Sequence, residues 1–249
     1  MSGRLLVTTS WDDGHPADEK LADLLSRYGI AATFYVPNRN SEGRPVLDEA
    51  AIRRLTSRFE VGGHSIDHIV LHRLPIEEVA RQIEGNRRWL EDVSGKPVRG
   101  FCYVRGRYNR AVTDVVRRAG FEYARTTESF QTSIGDEPHE IPTTLQFYPH
   151  TGIDYLKMLI RGRPSLSRAR PFLSAVGAGP LIERVRRLAE HARAGDGYFH
   201  LWGHSWELDE HNLWGELETA LAHLVSGALP ADFVTNGEAV RRRWNASAR

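Results

Sequence analysis

Two short constellations carry the chemistry of this sequence. Asp12 and Asp13 stand side by side in SWDDG, after the β-branched apolar run from Leu5 to Thr9, and His64 and His68 stand four apart in HSIDH, after the stretch from Phe59 to Gly63. Adjacent carboxylates repel, and keeping both ionised is costly unless a cation separates them or they take different tasks. A four-residue spacing lets one turn aim two imidazoles at a common point. Two His and one Asp leave positions on a divalent ion open to water, as a catalytic rather than a structural metal requires. A carboxylate bound to that ion does not readily take a proton from the water beside it. One of Asp12 and Asp13 therefore completes the ligand set, and the other stays free as general base. The plain alternative for the acidic pair is a solvated turn or a cap on the helix that follows, a task open to Asp18 as well.

The elements that must position these groups follow from periodicity. The run from Leu5 to Thr9 reads as a buried strand that delivers its acids at its C-terminal end. Leu21, Leu24, Leu25 and Tyr28 fall at helical spacing, Gly29 stops that helix, and residues 32–36 form a second strand. Helices are expected over 49–56, over the amphipathic stretch after Pro75, over 110–119, 180–194 and 213–224, with strands at 59–63, 98–103, 123–125, 198–202 and 232–235. Residues 145–179, rich in Pro, Gly and Arg, read as an excursion with one helix around 155–160 that shapes a substrate cleft. A basic tail closes the chain. Seven or eight strand–helix units predict an α/β fold, a (β/α) barrel in a single domain over 1–249 with its core at about 4–240. Right-handed crossovers then gather the strand C-termini, and the motifs on them, on one face. An open doubly wound sheet is the competitor, but the Gly-rich nucleotide loop it needs after the first strand is replaced by acids.

Composition narrows the partners. With 33 Lys+Arg against 32 Asp+Glu among 249 residues, a net charge of +1 offers no field for a polyanion, so nucleic acid is excluded as an expected partner. The single cysteine, Cys102, leaves no intramolecular disulfide. No apolar run is long enough to span a bilayer as a helix, and the opening MSGRLLVTTSWDDG enters a strand without a signal-like region, so a cytoplasmic location is expected. Oligomeric state is left open.

SWDDG followed by HSIDH resembles the first two motifs of the NodB-type polysaccharide deacetylases, carbohydrate esterase family 4. The resemblance implies a distorted (β/α)7-8 barrel, Asp12 as general base, Asp13, His64 and His68 as ligands, and zinc or a similar divalent ion such as cobalt, nickel or manganese. FCYVRGRYN, residues 101–109, resembles the third family motif, in which an Arg steadies the base and a Tyr offers its backbone N–H to the oxyanion. Here those places hold Cys102 and Arg105. Cys102 cannot offer a charged fork, so either Arg105 or Arg125 is expected to steady the base from elsewhere, or the base is tuned differently. For Cys102 itself, an inert core thiol is weighed against a nucleophile. YFHLWGHSWE, residues 198–207, resembles the closing motif, whose strand ends in a His acting as general acid, which implies His204. Period-two alternation puts His200 and Trp202 on the face of His204, so His200 is either a second site residue or a buried, hydrogen-bonded one. Trp202, Trp206 and Trp11 are candidates for an apolar wall against a sugar. The expected reaction is metal-assisted hydrolysis of an N-acetyl group on an amino sugar or glycan precursor. The alternatives are a cyclic imide or ureide hydrolase of the same fold, and a glycan-binding barrel with impaired catalysis.

Overall fold

The computed structural model describes residues 4–161, 166–177, 179–227 and 230–245. Short apolar runs alternate with amphipathic helices, so each strand returns parallel to the last. The strands are β1 (Leu5–Asp12), β2 (Thr33–Val36), β3 (Glu60–Gly63), β4 (Gly100–Cys102), β5 (Tyr123–Arg125), β6 (Leu145–Gln146), β7 (Tyr198–His204) and β8 (Ala231–Val234). Every strand pair is parallel, which sets the C-terminal ends of the strands on one side.

β1 is the keel of the sheet. One edge bonds β7 from Leu6 opposite Tyr198 to Asp12 opposite His204. The other edge is shared, with β8 against Leu5–Thr8 and β2 against Ser10 and Trp11. β2 has therefore splayed from the lower half of β1, and β8 fills the gap. The sheet runs on through β3, β4 and β5. Residues 141–147 complete the ring, because Ile141 bridges Arg125 at the edge of β5 while β6 and the Phe147 N–H bond β7. The result is the expected distorted barrel. A large apolar layer that includes Phe34, Phe101, Phe199 and Leu201 packs against the helices, and a smaller cluster with Tyr35, Cys102, Tyr123 and Tyr198 fills the barrel beneath its mouth.

The structure departs from the pattern-based reading in three places. The 145–179 excursion holds β6 and two helices, Gly152–Arg161 and Ala169–Val176, instead of one; its residues 162–165 and 178, like the ends of the 1–249 span, lie outside the described residues. A two-residue strand is too short to leave a periodic signal. The expected basic tail is a helix, Asn236–Asn245, whose Ala239 and Val240 are buried in the smaller cluster. Its run of arginines masked that narrow apolar stripe. A further short helix, Ser205–Glu210, starts as soon as β7 ends.

The long helix Ile76–Ser94 buries Val79, Ile83, Leu90 and Val93, and also two polar residues, Gln82 and Asn86. Asn86 Oδ1 accepts from the His64 N–H at 2.8 Å, and its Nδ2 donates to the Val36 carbonyl at 3.0 Å and to Asn38 Oδ1 at 2.9 Å. One amide thus pins the C-terminal tips of β2 and β3. Asn86→Leu, which orphans a buried N–H and a carbonyl, is expected to lower unfolding free energy by about 2 kcal/mol in urea titration; a loss below a few tenths would show that the tips hold without it.

Candidate active site

β1 ends in two carboxylates that go different ways. Asp13 and Gly14 both adopt left-handed backbone, at φ 77° and 58°. A side chain at Gly14 would strike Val36 Cγ1 at 2.8 Å as well as strain the backbone, so this turn requires glycine. The consecutive left-handed residues turn the chain off the strand sharply and separate Asp13 from the direction of Asp12. Both acids are buried.

Asp13 meets the two imidazoles. His68 Nε2 lies 3.0 Å and His64 Nε2 3.6 Å from Asp13 Oδ1. His64 Nδ1 donates to the Cys102 carbonyl at 2.9 Å, which turns Nε2 toward the shared point. His68 sits in left-handed backbone, φ 51°, and Gln82 holds the loop before it by accepting the Asp67 N–H at 2.9 Å. Trp206 Nε1 donates to Asp13 Oδ2 at 2.9 Å. Burial alone would push the Asp13 carboxyl up, but the His64 and His68 imidazoles outweigh it and hold it well below the usual range. Asp13 Oδ1 is nonetheless buried with no hydrogen-bond donor of proper geometry. The ligand atoms of Asp13, His64 and His68 lie within 4.8 Å of one another. An orphaned carboxylate oxygen facing two imidazole nitrogens fits a divalent cation. Asp12, His64 and Cys102 also cluster, but there a guanidinium already neutralises the carboxylate.

That guanidinium belongs to Arg125. Its Nη2 donates to Asp12 Oδ1, both side chains are out of water, and Cys102 Sγ donates to Asp12 Oδ2 at 3.7 Å. Cys102 and Arg125 are register partners on β4 and β5, so the positive charge missing from the third motif is supplied one strand over. Burial opposes the charge on Arg125, and Asp12 more than restores it. Burial also raises the Cys102 thiol, so it stays protonated, as an inert core residue does and a nucleophile does not. Arg105, the other residue expected to steady the base, does not reach it. Its side chain is 64% exposed and pairs with Glu42 at 2.7 Å, although it does line the cavity.

β7 supplies the opposite wall. The register that sets His204 beside Asp12 also sets His200 beside Thr8, four pairs deeper. His200 is fully buried, with Nε2 2.8 Å from Ser10 Oγ and Nδ1 2.8 Å from the Tyr198 hydroxyl. Burial pushes its pKa well down. It is a satisfied core histidine and takes no part in the cavity wall. His204 reaches the cavity, with Nε2 4.0 Å from Asp13 Oδ2 and Nδ1 2.9 Å from Glu207 Oε2. Burial opposes its protonation, but the adjacent Glu207 carboxylate and the nearby Asp13 raise its pKa to about 9. Glu207 is held by Gln146 Nε2 at 3.2 Å. Trp202 and Trp206 line the cavity, of about 490 Å³, whereas Trp11 is core and lies outside it. Pattern reading passed over Glu207 and Gln146. A helix starting at Ser205 would have put Glu207 one turn from His204, but that start carries no side-chain cap.

Residues 3–124 match the family model described as polysaccharide deacetylase. The peptidoglycan-N-acetylmuramic acid deacetylase PdaC of Bacillus subtilis is 35% identical over 92 residues, 36% of this chain and 19% of that protein. A second Bacillus subtilis protein, the uncharacterized YlxY, is 23% identical over 112 residues, 44% of this chain and 33% of its own length. The chain thus matches a fifth to a third of these curated relatives. Among solved structures, a family 4 acetyl xylan esterase from Clostridium thermocellum in complex with a cobalt ion has a TM-score of 0.61 at 16% identity, over 96% of this chain and 91% of that one. A CE4 family pseudoenzyme from Bacillus anthracis has a TM-score of 0.59 at 16% identity, over 96% and 66%. These likenesses are of fold. The family match covers the segment that supplies Asp12, Asp13, His64 and His68, and the likeness of fold extends over nearly the whole chain.

Proposed function

We propose that this chain is a metal-dependent hydrolase that removes the acetyl group from an N-acetylated amino sugar or glycan precursor. The observation that carries the reading is the opposite fate of two consecutive acids, Asp12 neutralised by Arg125 and Asp13 turned to two imidazoles. That division suits one base and one ligand. Asp13, His64 and His68 are the residues to hold a divalent ion, zinc by ligand type with cobalt, nickel or manganese as substitutes. Such an ion, when bound, polarises the amide carbonyl and acidifies water beside it.

The remaining steps belong to the chain. Asp12 takes the proton of the attacking water, oriented by Arg125 on one oxygen and Cys102 on the other. The N–H groups of Gly106 and Arg107 are spent on the Tyr103 and Val104 carbonyls, so the Arg105 amide is the donor proposed for the oxyanion. His204, kept protonated by Glu207, gives its proton to the departing amine. Trp202 and Trp206 give the sugar an apolar wall.

Release of acetate from N-acetylglucosamine oligosaccharides, with metal content read in parallel, tests the scheme. Asp12→Asn should lose on the order of 10²–10⁴-fold in kcat while keeping its metal, and His64→Ala should lose the metal. Retained turnover in Asp12→Asn, or an unaltered chain that takes up no divalent ion, would sink it. The acid carries its own pH signature. Because the His204 pKa is raised, the protonated form persists until pH rises through about 9, and activity should fall on that limb. Glu207→Gln removes the partner that raises it, so the basic limb should move down by about one unit or more; a limb that stays in place would remove His204 from the role.

A further inference from the structure

The cavity wall carries charges that acyl removal does not use, and their pairing is uneven. Asp12 has Arg125, Glu42 has Arg105 at 2.7 Å, Glu128 lies 3.9 Å from Arg168, and Glu207 has His204 at 2.9 Å. Asp13 faces the two imidazoles of the candidate metal set. Each carboxylate in the wall is thus matched. Arg107 is not, for among the described residues its exposed side chain makes no ion pair and no hydrogen bond, though it lines the same cavity.

The segment that presents Arg107 is held in place. Arg105 and Gly106 are consecutive left-handed residues, at φ 55° and 62°. The Gly106 N–H donates to the Tyr103 carbonyl at 2.8 Å and the Arg107 N–H to the Val104 carbonyl at 3.1 Å. Any Cβ at Gly106 would lie 2.0 Å from Thr127 Oγ1, so the loop is seated against the chain that leaves β5. A left-handed arginine persists only where its surroundings over-determine it. A divalent ion held by Asp13, His64 and His68 would add charge of the same sign as Arg107. A neutral sugar gains nothing from that surplus, whereas a carboxylate or phosphate matches the planar guanidinium fork.

We infer that Arg107 receives an anionic oxygen substituent, a carboxylate or a phosphate, of the substrate sugar, so that the cavity selects acidic over neutral N-acetyl sugars. The inference rests on the proposed deacetylation for the N-acetyl group alone; the anion contact is a property of binding.

Calorimetric titration of the metal-loaded chain with N-acetylmuramic acid, N-acetylglucosamine 6-phosphate and neutral N-acetylglucosamine tests it without turnover. At least one acidic ligand should bind about tenfold tighter than the neutral one, the range of a charge-assisted hydrogen bond, and the tighter acid identifies carboxylate or phosphate. Arg107→Ala should bring the ratio close to one, Arg107→Glu should invert it, and Arg107→Lys should keep part of it. Equal binding of all three sugars by the unaltered chain, or an acid preference that survives Arg107→Ala, overturns the inference. Acid preference with no acetate released from any N-acetyl sugar would retire the deacetylase reading and leave this one standing. Acetate released from acidic and neutral sugars alike, with equal affinities, would do the reverse.

Discussion

Two carboxylates on consecutive residues, both nearly out of water, repel each other, and the mouth of the barrel is organised around keeping them apart. The backbone begins the separation at Asp13 and Gly14, where left-handed geometry turns one acid away from the other. Charge completes it, since Arg125 lies against Asp12 and two imidazoles lie against Asp13. Losing one partner of such a buried pair leaves an uncompensated charge, at a cost of about 3–5 kcal/mol, more than a helix cap or a turn contributes. The fold at this end of the sheet therefore depends on the same contacts that give the two acids different surroundings.

The supporting contacts come from elements far apart in sequence. Asn86 and Gln82 look out from one buried face of the Ile76–Ser94 helix and fix the histidine loop. Trp206 fixes the free oxygen of Asp13, and Glu207 fixes His204. Both lie on the short helix that begins where β7 stops. A rigid strand end followed at once by a helix lets one segment contribute His204, the carboxylate that orients it and the Trp206 N–H that Asp13 accepts. Asp12, Asp13, His64 and His204 stand at or just past strand ends, and helix residues brace Asp13, His64 and His204, which limits the motion of the cavity wall.

Much of this was legible in the linear chain where the signal was local. SWDDG and HSIDH stand out because residue type, spacing and the preceding apolar run all agree, and the strand–helix alternation carries most of the barrel. What was not legible depends on register. Nothing local tells that Arg125 rather than Arg105 serves Asp12, because the answer is the pairing of Cys102 with Arg125 across β4 and β5 and the width of the barrel between β5 and β1. His200 and His204 look alike by alternation, and only depth along β1 separates the buried partner of Ser10 from the residue beside Asp12. The C-terminal helix hid its two buried residues among arginines.

By itself the sequence determined which atoms are available for chemistry: an acidic pair and a histidine pair, each released at the end of a strand, in a chain whose periodicity leads to parallel strands with a common functional face. Tertiary structure decided which of those atoms face each other. Burial decided that Cys102 is a neutral brace and His200 a core residue, because both lie beneath the mouth, out of reach of solvent. Long-range pairing decided that the two acids differ, because a charge on one strand reaches the first acid and a loop after another strand reaches the second. Those distances exist only once the ring of strands has formed, which is why the acidic pair and the need to divide its tasks could be read from the sequence, while the contacts that set the two acids apart could not.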